Sequence, residues 1–148
     1  AGGDSKFAIF AFNKNADQLD SQMLSASGEN VLAADAWLKN QDVLTGSSNW
    51  GNEGVIECIQ KMFRGDPTPT EIHLVADSGF LYDLKSNNPL NVRGALSAYN
   101  DNLASFNIYL LESFGKDLDT VLATSSGAEM LNIVKENKGT IYLIEGIY

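Results

Sequence analysis

The sequence predicts an α/β fold in which helices cover both faces of a mostly parallel β-sheet, a three-layer α/β/α arrangement. Two observations predict it. Short apolar runs that end abruptly at polar residues alternate with longer segments of helical periodicity. No internal repeat or linker interrupts this order, and 148 residues suit one domain with a single core. Strands that alternate with helices imply βαβ crossovers, which make the connected strands parallel.

Four apolar runs are predicted to be strands. They are residues 6–13, 71–77, 106–113 and 140–146. Apolar runs of this length that stop at a turn signal are typical of strands buried on both faces of a parallel sheet. We therefore expect that truncating Phe10 or Val75 to alanine destabilises the protein strongly, by about 2–5 kcal/mol.

Five segments between and after these strands are predicted to be helical. They are residues 27–41, 55–63, 91–104, 114–124 and 127–138. In the first, Ser27 is a candidate cap, and Val31, Leu32, Ala36 and Trp37 are predicted to face inward. The last follows a capping-box pattern, Ser126 with Glu129 three residues later, and stops at Gly139.

Charge and composition exclude several kinds of partner and site. The net charge is −9, whereas nucleic acids and anionic membranes attract clustered Lys and Arg. No apolar run is long enough to span a bilayer. The single cysteine, Cys58, predicts a buried small residue rather than an internal disulfide, and the single histidine, His73, has no motif partner for catalysis. A metal would therefore be held mainly by oxygen, which favours magnesium, calcium or manganese.

Polar residues gather at the carboxyl ends of the predicted strands. Asn13 and Asn15 follow the first strand, Asp77 ends the second, and Asp117 follows the third. A loop of hydroxyl and amide residues, 46–49, precedes the helix at 55–63. Ligands of parallel α/β sheets bind at this edge, so the sequence predicts one polar edge suited to a hard cation. A turn or helix-cap role is open for Ser48, Asn49, Asp77 and Asp117 as well.

The order of the segments resembles a von Willebrand factor A domain, most closely those of large bacterial secreted adhesins. The likeness rests on segments that occur in the family's order: "FAIFAFNKNADQL", "LTGSSNWGNEGVIECIQKMF", "EIHLVADSG", "FNIYLLESFGKDLDTVLAT" and "MLNIVKENKGTIYLIEG". They are similar to the family's second strand, its Gly-rich loop with the following helix, its fourth strand, its fifth strand with a Gly-x-Asp loop, and its last helix and strand. The resemblance implies one Rossmann-like domain over residues 1–148.

The resemblance also implies a degenerate metal-ion-dependent adhesion site. Two of the family's three ligand loops have counterparts, with Ser48 at the Thr position and Asp77 at the Asp position. The third, Asp-x-Ser-x-Ser after the family's first strand, has none, although a second alignment places it on "NKNAD". Asn13, Asn15 and Asp117 are therefore further candidate ligands. With this incomplete set, we expect magnesium or calcium to bind weakly or not at all.

The resemblance implies that the chain begins at the family's second strand and lacks the strand that is central in the family. An unpaired central edge would expose a row of backbone donors and acceptors. Either the family's second and fourth strands pair directly here, or another chain, such as a second copy in a homodimer, or an upstream segment donates a strand.

The resemblance implies a non-enzymatic protein-binding module for adhesion or assembly, located outside the cell or at its surface, with the cytoplasm as the alternative. Its polar edge would contact the protein partner, with or without a cation. The alternative function is a small magnesium-dependent α/β enzyme, phosphohydrolase-like or receiver-like, that uses Asp77. Against the enzyme, no lysine follows at the expected position and no second carboxylate adjoins Asp77 in sequence.

Overall fold

The computed structural model describes residues 5–41, 52–83, 86, 88–101, 104–112 and 117–145, and the fold within them is mixed α/β. The strands are β1 Lys6–Phe7, β2 Phe10–Phe12, β3 Ala16–Gln18, β4 Leu24–Ser25, β5 Glu71–Ala76, β6 Ser105–Glu112 and β7 Ile141–Glu145. The α-helices are α1 Gly28–Lys39, α2 Gly54–Arg64, α3 Val92–Tyr99, α4 Leu118–Leu122 and α5 Ser125–Glu136, with a 3₁₀ helix at Ser78–Leu81. None of the helices in these ranges is long and apolar enough to cross a membrane.

Three of the four predicted strands form a parallel sheet, which confirms the α/β class. The sheet has the order β5-β6-β7, with β6 in the centre. All three strands begin and end within one residue of the predicted boundaries. The agreement arises because a buried apolar run stops where polar turn residues begin.

The prediction that residues 6–13 form a further strand of this sheet is wrong. The run breaks into β1 and β2, and both pair antiparallel with the chain that follows, β1 with β4 and β2 with β3. The cause is the polar turn at Asn13–Asn15, which reverses the chain so that Phe12 pairs with Ala16. Among the described residues β5 pairs only with β6, so direct pairing of the first run with β5, one of the alternatives that the sequence left open, does not occur there.

Helices α2, α3 and α5 enclose the hydrophobic core on one face of the sheet. The strands contribute the fully buried Phe106, Ile108 and Leu110, all on β6. The helices contribute large side chains that are 0–1 % exposed, including Ile59 from α2, Leu96 from α3, and Met130 and Ile133 from α5. The helix predicted at 55–63 therefore packs against the core, through Val55 and Ile59.

The opposite face of the sheet carries no extensively packed helix in the described part of the chain. Side chains alternate between the two faces of a strand, so this face holds the alternate residues of β5, β6 and β7. We call six of them the open face: His73, Val75, Tyr109, Leu111, Tyr142 and Ile144.

Two open-face side chains are more exposed than residues in a parallel sheet usually are: Val75 is 57 % and Tyr142 is 47 % exposed. The prediction that these strands are buried on both faces is therefore wrong for this surface, and Val75→Ala is no longer expected to be strongly destabilising. The polar residues Glu71 and His73 alternate with Ile72 and Leu74, which is the pattern of a half-buried strand.

Helix α1 has the predicted position but not the predicted inward face. Ser27 caps it as expected, accepting a hydrogen bond from the Asn30 backbone N–H through Oγ at 3.3 Å. Ala34 is buried, whereas Val31 is 53 % and Leu32 is 72 % exposed. The helix thus turns its alanine-centred side inward and leaves Val31 and Leu32 in solvent.

The cap of α5 is Thr124 rather than the predicted Ser126. The Oγ1 atom of Thr124 accepts a hydrogen bond from the Gly127 N–H at 3.0 Å and donates one to the Val121 carbonyl at 2.7 Å. Ser126 lies in the first turn, with its hydroxyl 3.1 Å from that of Tyr82. A short preceding helix, α4, brings Thr124 into the capping position, so the Ser126–Glu129 spacing does not mark the start of α5.

We expect Thr124→Ala to lower the free energy of unfolding by about 1–2 kcal/mol, because it removes the cap and leaves a helix N–H without its partner. Chemical denaturation measures the change. Ser125→Ala is the matched control, since Ser125 is exposed in the first turn and is not the cap. Equal losses for the two variants would show that Thr124 does not cap the helix.

Candidate functional site

Asp77 lies where the sequence predicts it, directly after the carboxyl end of β5. Its Oδ1 atom accepts a hydrogen bond from the Gly79 N–H at 2.8 Å, and Asp77 thereby caps the 3₁₀ helix. One carboxylate oxygen therefore stabilises the local turn.

Asn13 and Asn15 form the turn between β2 and β3. The Oδ1 atom of Asn13 accepts a hydrogen bond from the Asn15 N–H at 2.9 Å. The Asn13 carbonyl accepts from the N–H of Gly54, also at 2.9 Å. A Cβ atom at Gly54 would overlap the backbone of this turn, so the glycine permits close contact between the turn and the start of α2.

The start of α2 also contacts the turn that follows Asp77. The Nδ2 atom of Asn52 donates hydrogen bonds to the carbonyls of Gly79 at 2.7 Å and Tyr82 at 3.1 Å. The beginning of α2 therefore bridges the Asn13–Asn15 turn and the Asp77 turn. Sequence reasoning missed Asn52, although it belongs to the polar stretch before the helix.

Glu53, the residue before α2, is a second missed residue at this edge. Its Oε2 atom is buried and has no hydrogen-bond partner among the residues that the structure describes. The side chain does not cap α2, although it occupies the N-cap position. The capping role that the sequence left open for Ser48 and Asn49 falls outside the described residues. An unpaired buried carboxylate oxygen is unusual and marks this end of α2 as polar and partly enclosed.

The predicted metal ligands are brought together only in part. Asn13, Asn15 and Asp77 lie in the two turns that α2 bridges, whereas Ser48 falls within residues 42–51, outside the described residues. Asp117 caps α4 by accepting a hydrogen bond from the Thr120 N–H at 2.7 Å, and hydrogen bonding to Thr120 holds the pKa of its carboxyl below the usual range. Where side chains are described, no group of three or more His, Cys, Asp or Glu residues could hold a metal ion.

The open face is an aromatic and aliphatic surface. Val75, Tyr109 and Tyr142 form one row across the three strands, since Val75 pairs with Tyr109 and Tyr109 with Tyr142. The two tyrosine rings stack, with centroids 5.0 Å apart and an angle of 19° between their planes. Leu111 and Ile144 form the next row towards the carboxyl ends of the strands. The open face therefore extends towards the polar edge that contains Asp77.

His73 lies at the opposite end of the open face. Its Nδ1 atom is 3.1 Å from the Tyr109 hydroxyl, and its ring centroid is 5.6 Å from that of Tyr109. Its Nε2 atom is 3.9 Å from Glu71 Oε2, and both side chains are well exposed. This arrangement holds the Tyr109 ring in place.

A groove of about 550 Å³ lies on the other side of the molecule, lined by Asn91, Arg93, Asn100 and Glu136 among others. The Nε atom of Arg93 donates to Glu136 at 2.7 Å. The buried Asn100 donates to Asn137 Oδ1 at 2.9 Å and accepts from the Ala104 N–H at 2.8 Å. These polar side chains already form hydrogen bonds within the chain, so their presence in the groove is explained by their role in the fold.

Cys58 lies in α2 and is 2 % exposed, which confirms its predicted burial. Burial, followed by the negative charge of Glu57, raises the pKa of the thiol to about 12. The thiol therefore stays protonated in the folded protein at neutral pH.

We expect the Cys58 thiol of the native protein to react with iodoacetamide at pH 8 about 1000-fold more slowly than in the denatured chain, because the thiolate is the reactive form. The raised pKa also has a stability consequence. Stability from this group is complete below the unfolded pKa and is lost as the pH rises towards about 12. A native labelling rate within tenfold of the denatured rate would contradict the burial of the thiol.

No protein-family model matches the chain. A curated relative is the NmrA-like family domain-containing oxidoreductase cpsB of Aspergillus campestris, which is 34 % identical over 71 residues. The match covers 48 % of this chain and 21 % of that protein. The chain therefore spans about a fifth of the length of this relative, and the similarity does not assign its activity to the chain.

Proposed function

We propose that this chain is a non-catalytic protein-binding module that contacts its partner through the open face and the adjoining polar edge. The accessibility of Val75 and Tyr142 carries the proposal, because parallel sheets are normally covered on both faces. Contiguous exposed apolar surface is characteristic of interaction sites. A partner that covers the open face would also complete the three-layer arrangement predicted from the sequence.

The resemblance to von Willebrand factor A domains supports a role in adhesion or assembly, at the cell surface or outside the cell. The structure moves the emphasis from the polar edge to the open face. Asp77 and Asn13 each use a side-chain oxygen for a hydrogen bond in a local turn. The edge therefore has fewer free oxygen ligands for a cation than the sequence predicts. Protein contact without metal is therefore the simpler mode of binding.

We expect magnesium or calcium to bind no more tightly than about millimolar, because the available oxygens would leave the ion most of its water shell. Isothermal titration calorimetry of the full chain measures the affinity. Asp77→Ala tests the predicted ligand, and Glu53→Gln is the matched comparison at the same edge. A micromolar site that either variant abolishes would show a more complete ligand set than the described residues provide.

The proposed function is tested by photo-crosslinking in the cells that produce the protein. Tyr142 is replaced by p-benzoylphenylalanine, which labels whatever lies against the open face. The control carries the same replacement at Leu32, which is 72 % exposed on α1. We expect a defined protein adduct from position 142 that position 32 does not give. No adduct at position 142 above the Leu32 level would overturn the proposed function.

A second candidate is an oxidoreductase domain, and the relative named above favours it. The chain lacks the three-glycine spacing of a dinucleotide site, which weighs against this candidate. Thermal melting with nicotinamide and flavin dinucleotides tests it, since a cofactor that binds the native state raises the melting temperature.

Melting with magnesium and acetyl phosphate tests the phosphohydrolase-like or receiver-like alternative, in which Asp77 would take up phosphate.

A further inference from the structure

We infer that the partner lays a basic amphipathic α-helix along the open face, with its apolar side on the sheet and a cationic side chain near each end of β5. This inference rests on the proposed function, because it names the kind of partner that the same surface binds. Two features of the sheet support it: the carboxylates at the two ends of β5, and the dimensions of the apolar surface between them.

A carboxylate lies at each end of the outward side of β5. Exposed residues alternate with buried or half-buried ones from Glu71 to Asp77, so both acidic residues are on the same side as Val75. The backbone of Asp77 is still extended, with φ of −81° and ψ of 173°, which keeps it in this alternation. The Glu71 side chain is 71 % exposed, and Asp77 is exposed as well. Negative charge therefore flanks the apolar surface at both ends of the strand.

The formal charge on this side of the sheet has one sign. By the same alternation, the outward residues of β6 and β7 are uncharged, and His73 is the only basic residue among those of the three strands. A partner with cationic side chains at the ends of an apolar surface is complementary to this pattern. The net charge of −9 attracts a basic partner to the chain as a whole, and the apolar residues determine where it lies.

The width of the open face suits a single helix. Three strands about 4.8 Å apart make a face about 14 Å wide, and an α-helix with its side chains is about 10–12 Å across. Helices are also the usual cover of parallel sheets, in which they run along the strands. A helix that lays its apolar side on a narrow surface binds through far less area than two globular domains need.

The two carboxylates also set the spacing of the basic residues on the helix. Glu71 and Asp77 are six positions apart along an extended chain, which is about 20 Å at a rise of about 3.3 Å per residue. Because an α-helix rises about 5.4 Å per turn, cationic side chains about four turns apart reach both carboxylates from one side of the helix. Apolar side chains three and four positions apart between them would contact Val75 and the stacked rings of Tyr109 and Tyr142.

A synthetic peptide tests the inference on the full chain by fluorescence anisotropy. The probe is a labelled helix of about five turns, with one leucine stripe and a lysine at each end of the stripe, about four turns apart. Alanine and glutamine fill the other positions. We expect saturable binding with a dissociation constant below about 1 mM. The matched peptide has glutamate at the two lysine positions, and we expect it to bind at least ~10-fold more weakly.

Variants of the chain locate the binding site. Tyr142→Gln removes an exposed ring and should weaken binding of the lysine peptide at least ~10-fold, whereas Leu32→Gln on α1 should change it less than ~2-fold. Glu71→Lys should weaken binding of the lysine peptide and strengthen binding of the glutamate peptide. Glu29→Lys, at an exposed position of α1, makes the same change in net charge and should alter neither by more than ~2-fold. Circular dichroism verifies that the variants fold.

Three outcomes would overturn the inference: no saturable binding of the lysine peptide, equal binding of the two peptides, or binding that Tyr142→Gln leaves unchanged. The crosslinking experiment separates these outcomes from failure of the proposed function. A defined adduct at position 142 whose crosslinked segment is not a basic helix, including an adduct of two copies of this chain, removes the helix and keeps the binding function. No adduct above the Leu32 level removes both.

Discussion

Gly139→Ala is expected to lower the free energy of unfolding by about 3 kcal/mol or more, because a Cβ atom at this position would overlap the backbone of β6. Gly139 follows Lys138, whose φ of 52° turns the chain out of α5 and towards β7. An ideal Cβ would collide with the carbonyl group of Phe106, which is backbone and cannot rotate away. Chemical denaturation measures the loss.

The connection between α5 and β7 cannot easily shift to make room for that methyl group. The Phe106 N–H donates to the Asn137 carbonyl at 2.9 Å, and the Ile108 N–H donates to the Thr140 carbonyl at 3.0 Å. Gly28→Ala is the matched control, since a Cβ at Gly28 meets nothing within 4 Å and alanine suits the first turn of a helix. A loss below about 1 kcal/mol for Gly139→Ala would contradict this packing.

Leu110→Ala is expected to cost about 2–5 kcal/mol, whereas Leu111→Ala should cost about 1 kcal/mol or less. The two residues are neighbours on β6 and have the same side chain. Leu110 is 0 % exposed in the core, and Leu111 points to the open face. The difference between the variants therefore measures the asymmetry of the sheet directly, by chemical denaturation under the same conditions.

Equal losses from Leu110→Ala and Leu111→Ala would show that both faces of β6 are buried. That result would restore the original prediction of a sheet covered on both sides. It would also remove the main support for the open face as a binding surface.

The three strands of the parallel sheet could be predicted from the sequence because each is an apolar run followed by a turn. β5, β6 and β7 lie within the predicted segments or one residue from them. The helices α2 and α3 followed from their spacing of large apolar side chains, of which Ile59 and Leu96 are fully buried. The spacing of apolar residues is sufficient to predict an element where the face that it marks is also the face that packs against the core.

The pairing of residues 6–13 could not be predicted from their composition alone. An apolar run indicates a strand but does not say which strand pairs with it, and the turn at Asn13–Asn15 offered a nearer partner than the distant sheet. The sequence contained a signal for the open face, but the large number of apolar residues in these runs favoured burial on both faces instead. Glu71, His73, Ser105 and Asn107 alternate with buried residues, which indicates strands with one exposed face.

The candidate site was predictable where a residue's place follows from the end of an element. Asp77 follows β5 and Asp117 precedes α4, and both prove to be caps. Asn52 and Glu53 were missed because their roles depend on contacts across the fold, such as the bonds from Asn52 to Gly79 and Tyr82. No periodic pattern reports such long-range contacts.

Hydroxyl-radical footprinting of the dilute, monomeric chain tests the central claim most directly, because it reports which side chains reach solvent. We expect rapid modification of Tyr142 and Val75, comparable to that of the exposed Leu32 after correction for intrinsic reactivity, and protection of Phe106 and Leu110. Protection of Tyr142 and Val75 to the level of Leu110 in the monomer would contradict it, since the chain itself would then cover the open face.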